Sequence, residues 1–188
     1  MVGQIMSFID STLEFLSNKI VQKESNIEVM MTWEDDIMKK SAEYICENGG
    51  DILELGFGMG ISADYIQAHS ISSHTIVECH PQILEKLNTW ASDKDNVVII
   101  EGDWNSVSGL GTYDGIFFDT FGDENIDNFK AFATSKAKSG AKITYWNNFT
   151  DKRNEHNFDS ISFEDISVTP DSNQYFNATT YNMPKVEL

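Results

Sequence analysis

The sequence predicts an α/β fold: a mostly parallel central sheet with helices on both faces and an antiparallel last strand. Between residues 51 and 146, short apolar runs alternate with amphipathic stretches, which is typical of parallel strands joined by crossover helices. A run of alternating glycines follows the first of these strands without a gap. The 188 residues contain no repeat, low-complexity tract or linker, so we expect a single domain over residues 1–188.

Residues 1–48 are predicted to form a helical N-terminal segment that covers the site as a lid. The apolar residues that recur at helical spacing over residues 4–20 are Ile5, Ile9, Leu13, Leu16 and Ile20. Ser25-Asn26 interrupts this pattern before a second helix, or a turn leading into it, that contains residues 29–38. We expect that helix to continue through Ile45 and to end at Gly49-Gly50.

The strands of the core are predicted at residues 51–55, 75–79, 96–100, 114–119 and 141–146. The helices between them are predicted at residues 61–69, 81–90 and 126–137. Pro81 suits the first position of a helix, and Ser139-Gly140 is expected to break the third helix before the fifth strand. Residues 149–159 are short and polar, which leaves little room for another crossover helix. Residues 161–168 and 175–183 are therefore predicted to be two last strands, the second returning antiparallel to close the sheet.

The turn after the first strand carries an acid followed by glycines at every second residue: Glu54, Gly56, Gly58 and Gly60. Glycine is needed where the backbone takes unusual torsions or lies against a ligand. A dinucleotide-binding turn has its third glycine three residues after the second, and that position is Ile61 here. The pattern is instead typical of methyltransferases that use S-adenosyl-L-methionine. It predicts a Rossmann-like methyltransferase domain with its cofactor-binding core at residues 51–148 and C-terminal strands at 149–188.

Polar residues at the ends of other predicted strands extend this site, because ligands of open α/β sheets bind beyond the carboxyl ends of the strands. Glu78 ends the second strand and is expected to accept the ribose hydroxyls of the cofactor; the alternative is an acid in solvent. Asp103 is a candidate for the adenine amino group, with Trp104 stacking nearby. An Asx-turn is an equally good interpretation of Asp103.

Several segments, most of them outside the glycine turn, carry a more specific resemblance. They are Val29-Met30-x-x-Trp33-Glu34-x-x-x-Met38, Leu53-Glu54-Leu55-Gly56-Phe57-Gly58-Met59, Glu78-Cys79, Gly102-x-Trp104, Tyr113-Asp114-Gly115-Ile116-Phe117-Phe118-Asp119-Thr120 and Ile143-Thr144-Tyr145-x-Asn147. Together they resemble guanidinoacetate N-methyltransferase, in a group that also includes the arginine δ-N-methyltransferases. The resemblance runs from about residue 29 to residue 147 and returns weakly at residues 181–186.

The resemblance implies which residues form the site. The cofactor would be bound by Met30, Met38, Glu54, Gly56, Phe57, Gly58, Met59, Gly60, Ile61, Ser62, Glu78, Cys79, His80, Asp103 and Trp104. Glu34 and Asp119 would hold the guanidinium of the acceptor and would be the catalytic residues, with Asn147 and Asn148 also in the acceptor site. Asn148-Phe149 departs from the Leu-Thr pair that the guanidinoacetate enzymes present to their substrate carboxylate. With the short segment that follows, this predicts an open pocket that accepts larger, arginine-like acceptors.

The chemistry expected of the two acids follows from the guanidinium group itself. It is planar, with donors in a fixed fork that carboxylates match bidentately, so two acids would fix the nitrogen that receives the methyl group. A guanidinium pKa of about 13.8 against about 3.9 for aspartate means that the proton should reach Asp119 only during or after methyl transfer. The alternatives are a strand-end acid or helix cap for Asp119 and a solvated helix start for Glu34, beside Asp35-Asp36.

Charge and composition limit the partners. The net charge of −17 argues against a nucleic-acid substrate, because phosphate binding needs clustered lysine and arginine. The same charge would attract a small cationic acceptor, although a solvated acidic surface accounts for it as well. No apolar run approaches the ~20 residues of a membrane span, and no signal-peptide pattern is present, so a cytoplasmic location is expected.

The histidines and cysteines suggest no further chemistry. His69, His74, His80 and His156 show no metal-ligand spacing, and no metal site is predicted. Cys46 and Cys79 lie in apolar surroundings and are interpreted as buried thiols. Two other functions stay open: a methyltransferase for another small amine or hydroxyl, and a non-catalytic module that binds S-adenosyl-L-methionine. The oligomeric state is not predicted.

Overall fold

The computed structural model describes residues 7–123 and 125–188. Over these ranges the strands are β1 (Leu13–Phe15), β2 (Lys19–Gln22), β3 (Ile27–Met31), β4 (Asp51–Leu55), β5 (Ser73–Glu78), β6 (Val97–Glu101), β7 (Tyr113–Phe118), β8 (Ala137–Tyr145), β9 (Ser162–Ser167) and β10 (Thr180–Glu187). The α-helices are α1 (Asp35–Ile45), α2 (Ile61–Gln67), α3 (Pro81–Ala91) and α4 (Phe129–Lys136). Short 3-10 turns occupy Phe8–Asp10, Thr32–Glu34 and Ile126–Asn128.

The central sheet has the strand order β6-β5-β4-β7-β8-β10-β9. The pairs from β6 through β8 are parallel, whereas β10 runs antiparallel to both β8 and β9. The predicted α/β class, with a mostly parallel sheet and an antiparallel last strand, is confirmed. The order reverses between β4, which leads outward to β5 and β6, and β7 on its other side. A ligand site is expected at such a reversal, beyond the carboxyl ends of the strands.

Burial on both faces of the sheet explains why the core strands are almost wholly apolar. On β7, Ile116 and Phe118 belong to the apolar cluster that contains α4, whereas Phe117 belongs to the cluster that contains α1. Successive side chains of a strand point to opposite faces, so this alternation places helices on both sides of the sheet, as predicted. The result is a rigid platform from which the loops beyond β4, β5 and β7 project.

The predicted helix over residues 4–20 is wrong from residue 7 onward, and Ile5 lies outside the described residues. Strands β1, β2 and β3 instead form a separate antiparallel sheet. Leu13 and Ile20 are buried against α3, while Ile9 and Leu16 are 47% and 42% exposed, so the apolar residues do not form one helical stripe. Ser17 and Asn18 turn the chain between β1 and β2, where the Leu16 N–H donates to the Lys19 carbonyl at 2.8 Å.

Three other boundaries differ from the prediction. The second predicted helix begins only at Asp35. Residues 29–31 belong to β3, which was not predicted, and only the 3-10 turn at Thr32–Glu34 matches the turn given as an alternative. Strand β8 begins at Ala137, so Ser139-Gly140 lies within the strand and does not precede it. The last strand occupies Thr180–Glu187, and residues 175–179 therefore remain in a loop. Within the described ranges, no helix combines the length and the apolar character needed to cross a membrane.

Candidate active site

A cavity of about 660 Å³ lies at the carboxyl ends of β4, β5 and β7. Its walls come from β3, the glycine turn, the loops after β6 and β7, the end of β8 and the loop before β10. The predicted site residues that line it are Met30, Glu34, Gly56, Phe57, Gly58, Ser62, Glu78, Cys79, Asp103, Trp104, Asp119 and Asn148. The fold therefore brings most of the predicted cofactor and acceptor residues to one cavity.

The glycine turn is held in its shape by contacts that exclude a Cβ atom. Gly58 has a φ of +53°, and a Cβ added there would lie 2.5 Å from the sulfur of Met30. That sulfur also accepts a hydrogen bond from the Met59 N–H at 3.2 Å. Gly56 has a φ of +92° and lies directly against the backbone carbonyl of Asp119. The turn therefore needs glycine for packing against β3 and β7 as well as for its left-handed torsions.

Backbone N–H groups hold the carboxylate of Glu78 in one orientation. Its Oε2 accepts from the Phe57 N–H at 2.9 Å, and its Oε1 accepts from the N–H groups of Cys79 and His80, both at 2.8 Å. An ionised carboxylate has about four acceptor positions, so three backbone donors leave about one for a ligand. The predicted contact with the cofactor ribose fits this geometry. Glu78 would offer the two hydroxyls one shared acceptor position.

Glu54 does not line the cavity, in contrast to the prediction that it binds the cofactor directly. It is fully buried, accepts a short hydrogen bond from Ser62 Oγ and pairs with His74 Nε2 at 3.0 Å. These contacts join β4 to the first turn of α2 and to β5. Glu54 therefore positions the turn, and its charge acts on Asp119 from beneath the cavity.

Asp103 and Trp104 form the far wall of the cavity. Asp103 Oδ1 accepts from the Asn105 N–H at 2.9 Å, which is the Asx-turn considered for it, and its exposed carboxylate also lines the cavity. Trp104 is only 4% exposed and packs edge-on against Phe132, with ring centroids 4.9 Å apart. Its Nε1–H donates to Asp123 Oδ2. Most of the indole is therefore core, and one edge of it faces the cavity.

Glu34 and Asp119 line the same cavity, Glu34 from the 3-10 turn after β3 and Asp119 from the loop after β7. Glu34 is 3% exposed, so the solvated helix start is wrong for it. Its Oε1 accepts from the Met31 N–H at 2.7 Å and from the hydroxyl of Tyr175 at 2.6 Å. Burial, and then the charge of Asp119, raise the pKa of Glu34 well above its usual range. Burial, and then the charge of Glu54, raise the pKa of Asp119.

Two carboxylates with raised pKa values in one cavity could together bind a cation, because a positive ligand stabilises the charged form of both. The family model described as guanidinoacetate N-methyltransferase matches residues 17–169 of the chain. The chain belongs to the guanidinoacetate N-methyltransferase family. The resemblance stated from the sequence is thereby confirmed.

Curated relatives of this family member include two fungal proteins. The chain is 37% identical to protein arginine N-methyltransferase 2 of Kluyveromyces lactis over 132 residues, which cover 64% of the chain and 32% of that protein. It is 37% identical to the protein of the same name from Saccharomyces cerevisiae over 133 residues, with the same coverage of 64% and 32%. The chain thus spans about a third of the length of the curated relatives that it matches.

Solved structures share the fold of this family member at low sequence identity. Spermidine synthase from Thermotoga maritima has a TM-score of 0.67 at 11% identity, over 95% of the chain and 73% of that protein. The N-methyltransferase NodS from Bradyrhizobium japonicum has a TM-score of 0.62 at 11% identity, over 82% of the chain and 96% of that protein. These similarities confirm the predicted Rossmann-like methyltransferase fold.

Six predicted site residues besides Glu54 lie outside the cavity lining. They are Met38, Met59, Gly60, Ile61, His80 and Asn147. Met38 is fully buried in the apolar cluster of α1. His80 caps α3 and its Nε2 lies 3.1 Å from the Ser11 carbonyl oxygen, so the imidazole ties the N-terminal segment to β5. Asn147 donates both amide hydrogens, to the carbonyls of Asp151 and Asn182, at 3.0 and 2.9 Å. These residues lie behind the residues that line the cavity and do not line it themselves.

Several residues that the sequence did not single out also line the cavity. They include Phe8, Glu28, Asp123, Trp146, Gln174 and Tyr175. Tyr175 stacks on Trp33 with ring centroids 5.9 Å apart, and Gln174 Nε2 donates to the Asn26 carbonyl at 2.8 Å. These contacts close the loop before β10 over the β2–β3 turn. They join residues about 140 positions apart, and the local sequence carries no signal for them.

Proposed function

We propose that the chain is an S-adenosyl-L-methionine-dependent N-methyltransferase that methylates a guanidino nitrogen. One observation carries the proposal: Glu34 and Asp119, two carboxylates with raised pKa values, face one cavity together with the glycine turn. A protein that only bound the cofactor would need neither acid in this environment. An amine or hydroxyl acceptor would present fewer donors than two carboxylates can accept.

The residues present fit the cofactor. The glycine turn brings backbone against the cavity at Gly56 and Gly58, and Glu78 is oriented by three backbone donors with acceptor capacity to spare. Met30 and Phe57 add apolar surface beside them. When bound, S-adenosyl-L-methionine supplies a methyl group on a positively charged sulfur, which leaves as S-adenosylhomocysteine when the methyl carbon bonds to the acceptor.

Glu34 and Asp119 would hold the guanidinium and set its orientation. Tyr175 holds Glu34 Oε1 in place, so the orientation of Glu34 Oε2 is set before the acceptor binds. Little conformational entropy would then be lost on binding. Because burial disfavours both charges, a cationic acceptor would relieve the unfavourable environment, whereas a neutral acceptor would not. The site therefore selects acceptors that are positively charged.

Asp119 would also receive the proton. A guanidinium is far more basic than any carboxylate, with a pKa of about 13.8, so loss of a proton before attack is unfavourable. As the nitrogen bonds to the methyl carbon its N–H becomes acidic, and the raised pKa of Asp119 suits it to accept that proton. The ionised carboxylate also stabilises the positive charge that collects on the nitrogen during transfer.

The acceptor is proposed to be a small molecule, as the sequence predicted. Methylation of arginine within a protein is the second candidate, because the fungal relatives are named protein arginine N-methyltransferases. Asn148 lines the cavity and is exposed, which favours acceptors larger than guanidinoacetate. A cytoplasmic location stays a prediction.

The test is methyl transfer from radiolabelled S-adenosyl-L-methionine to guanidinoacetate, arginine and an arginine-containing peptide. We expect label in a guanidino compound, with the methyl group located on a guanidino nitrogen by mass spectrometry, and no label with Asp119→Asn. Cofactor binding without transfer to any guanidine, measured by calorimetry in parallel, would reject the proposal in favour of a binding module. Label found only in peptide would assign the second candidate.

A further inference from the structure

Glu28 is a buried acid that the site as described leaves without a role. It lies on β3, lines the cavity and is only 6% exposed. Its Oε1 pairs with Lys19 at the long distance of 3.4 Å, and its Oε2 is buried with no hydrogen-bond partner among the described residues. A buried carboxylate oxygen without a donor is costly, so its place on a ligand cavity indicates that the donor belongs to the ligand.

The geometry of β3 turns Glu28 toward the ligand. Glu28 and Met30 are two residues apart on the strand and so share one face, and the Met30 sulfur contacts the glycine turn. Glu28 lies three residues before Met31, the residue whose N–H holds Glu34. At a rise of about 3.3 Å per residue, the backbone of Glu28 lies about 10 Å along the strand from that of Met31, whose N–H holds the carboxylate proposed to bind the guanidinium. That separation suits two cationic ends of one extended molecule.

The charges around the cavity disfavour a carboxylate on the acceptor. The acids that line the cavity are Glu28, Glu34, Glu78, Asp103, Asp119 and Asp123, whereas its described lining contains no lysine, arginine or histidine. An anionic group on the acceptor would meet like charges, and the lysine nearest to them among the described ion pairs, Lys19, already pairs with Glu28.

The donors after β8 do not change this balance. The Phe149 N–H already donates to Asn147 Oδ1 at 2.9 Å, and the Asn148 side-chain amide donates to Glu155 at 3.0 Å. The Phe149 N–H is therefore occupied, and the Asn148 amide keeps one N–H that carries no net charge to balance a carboxylate. The electrostatics therefore favour an acceptor that is positive at both ends.

We propose that the acceptor is a guanidinoalkylamine, with a guanidinium at one end, an ammonium at the other and no carboxylate, and that Glu28 binds the ammonium. This rests on the proposed function, because Glu34 and Asp119 hold the guanidinium. Glu28 supplies the missing acceptor for the far end, and the ammonium supplies the donor that Glu28 Oε2 lacks. The chain length between the two charges is set by the spacing of Glu28 and Glu34.

A matched set of guanidines tests the inference. Agmatine is arginine without its carboxylate, and butylguanidine is agmatine without its amine. We expect kcat/KM for agmatine to exceed that for arginine by about tenfold or more, since like charges close to an interface strongly disfavour a ligand. A series of guanidinoalkylamines of increasing length should show a single optimum. Preference for arginine, for guanidinoacetate or for an arginine-containing peptide over agmatine would overturn the proposal.

Glu28→Gln separates recognition of the amine from a structural role. We expect it to lower the ratio of kcat/KM for agmatine over butylguanidine by about tenfold, as for the loss of one charged hydrogen bond. Glu14→Gln removes the same charge from an exposed residue of β1 and should leave that ratio unchanged. An equal loss for both guanidines would show that Glu28 serves only its pair with Lys19.

Binding measurements test the second cation site separately from the proposed methyl transfer. Calorimetry of agmatine and butylguanidine with the S-adenosylhomocysteine complex reports the Glu28 subsite without turnover. If no guanidine is methylated but Glu28→Gln still weakens agmatine binding selectively, the proposed function fails and the second cation site stands. If agmatine binds no better than butylguanidine, the second cation site fails, whatever the enzyme methylates.

Discussion

The hydroxyl of Tyr175 donates to Glu34 Oε1 at 2.6 Å, across 141 residues of sequence. Tyr175 lies in the loop before the last strand, whereas Glu34 ends the 3-10 turn after β3. This bond favours the ionised form of Glu34 and partly offsets the effect of burial, which raises its pKa. An aromatic residue with no motif around it thus controls the charge of the acid proposed to bind the acceptor.

Tyr175→Phe should therefore raise the pKa of Glu34 further. At a given pH less of the enzyme would carry the ionised carboxylate, so the acidic limb of the kcat/KM profile should move to higher pH and KM for the acceptor should rise. The measurement is the pH profile of both proteins with a guanidine substrate. Tyr65→Phe is the matched control, because Tyr65 donates to the exposed Asp35 outside the cavity. Coincident profiles for wild type and Tyr175→Phe would contradict the assignment.

Asp119→Asn and Glu34→Gln should have different kinetic effects. Asparagine keeps the size of Asp119 but cannot receive the proton, so kcat should fall by about 10²–10⁴-fold while affinity for S-adenosylhomocysteine is retained. Glu34→Gln removes one arm of the cation site and should raise KM about tenfold as well as lowering kcat. Steady-state kinetics beside calorimetry separates the two effects. An Asp119→Asn enzyme with nearly normal kcat would make Asp119 structural.

The raised pKa values also predict how the stability of the ligand-free protein depends on pH. A carboxyl whose pKa is higher in the folded state stabilises the fold most below its unfolded pKa of about 4.3 for glutamate. That stabilisation is lost as the pH rises toward the folded value, because Glu34 must then ionise while it is buried and beside the charge of Asp119. Glu34→Gln, which never ionises, should therefore gain in Tm relative to wild type as the pH rises above about 4.3. A difference in Tm that does not change with pH would show that Glu34 is not perturbed.

The glycine turn can be tested with two matched substitutions. Gly58→Ala places a Cβ 2.5 Å from the Met30 sulfur at a φ of +53°, so it should displace Met30 and abolish or strongly weaken S-adenosylhomocysteine binding. Gly140→Ala imposes a similar left-handed strain at a φ of +79°, with nothing within 4 Å of the added atom. Both should lower stability by about 1–2 kcal/mol, and only Gly58→Ala should lose affinity. Undiminished binding by Gly58→Ala would place the cofactor elsewhere.

The sequence predicted the parallel core well because each of its strands is defined locally. Leu53, Leu55 and Ile116 are fully buried, and runs of such residues bounded by glycines or polar turns have few alternative structures. The N-terminal segment was predicted wrongly because Leu13 and Ile20, at helical spacing, are also brought to one apolar surface by the short β1–β2 hairpin. Periodicity cannot separate these two structures when the strands are only three and four residues long.

The residues of the candidate site likewise fall into two groups, those that the local sequence predicts and those that it does not. The glycine turn, Glu78 and Asp119 follow strands directly, so their meeting at one edge of the sheet could be predicted from topology. Glu54 was misplaced because an acid inside a buried strand can turn toward either face, and here it pairs with His74. Tyr175 lies in the loop before β10, and that loop closes over the β2–β3 turn through Gln174 and Asn26. No short-range pattern encodes that contact.

The bonds that close the acceptor side of the cavity have a consequence for the order of folding. Tyr175 and Glu34 are 141 residues apart, and Gln174 and Asn26 are 148 apart, whereas the glycine turn reaches Glu78 over 21 residues. Closing a loop of about 140 residues costs about 4 kcal/mol of chain entropy before any contact forms. During synthesis the cofactor-binding half should therefore take shape first, while the segment around residue 175 is still inside the ribosome. The emerging chain would then present the glycine turn and Glu78 before the bond that holds Glu34 can form.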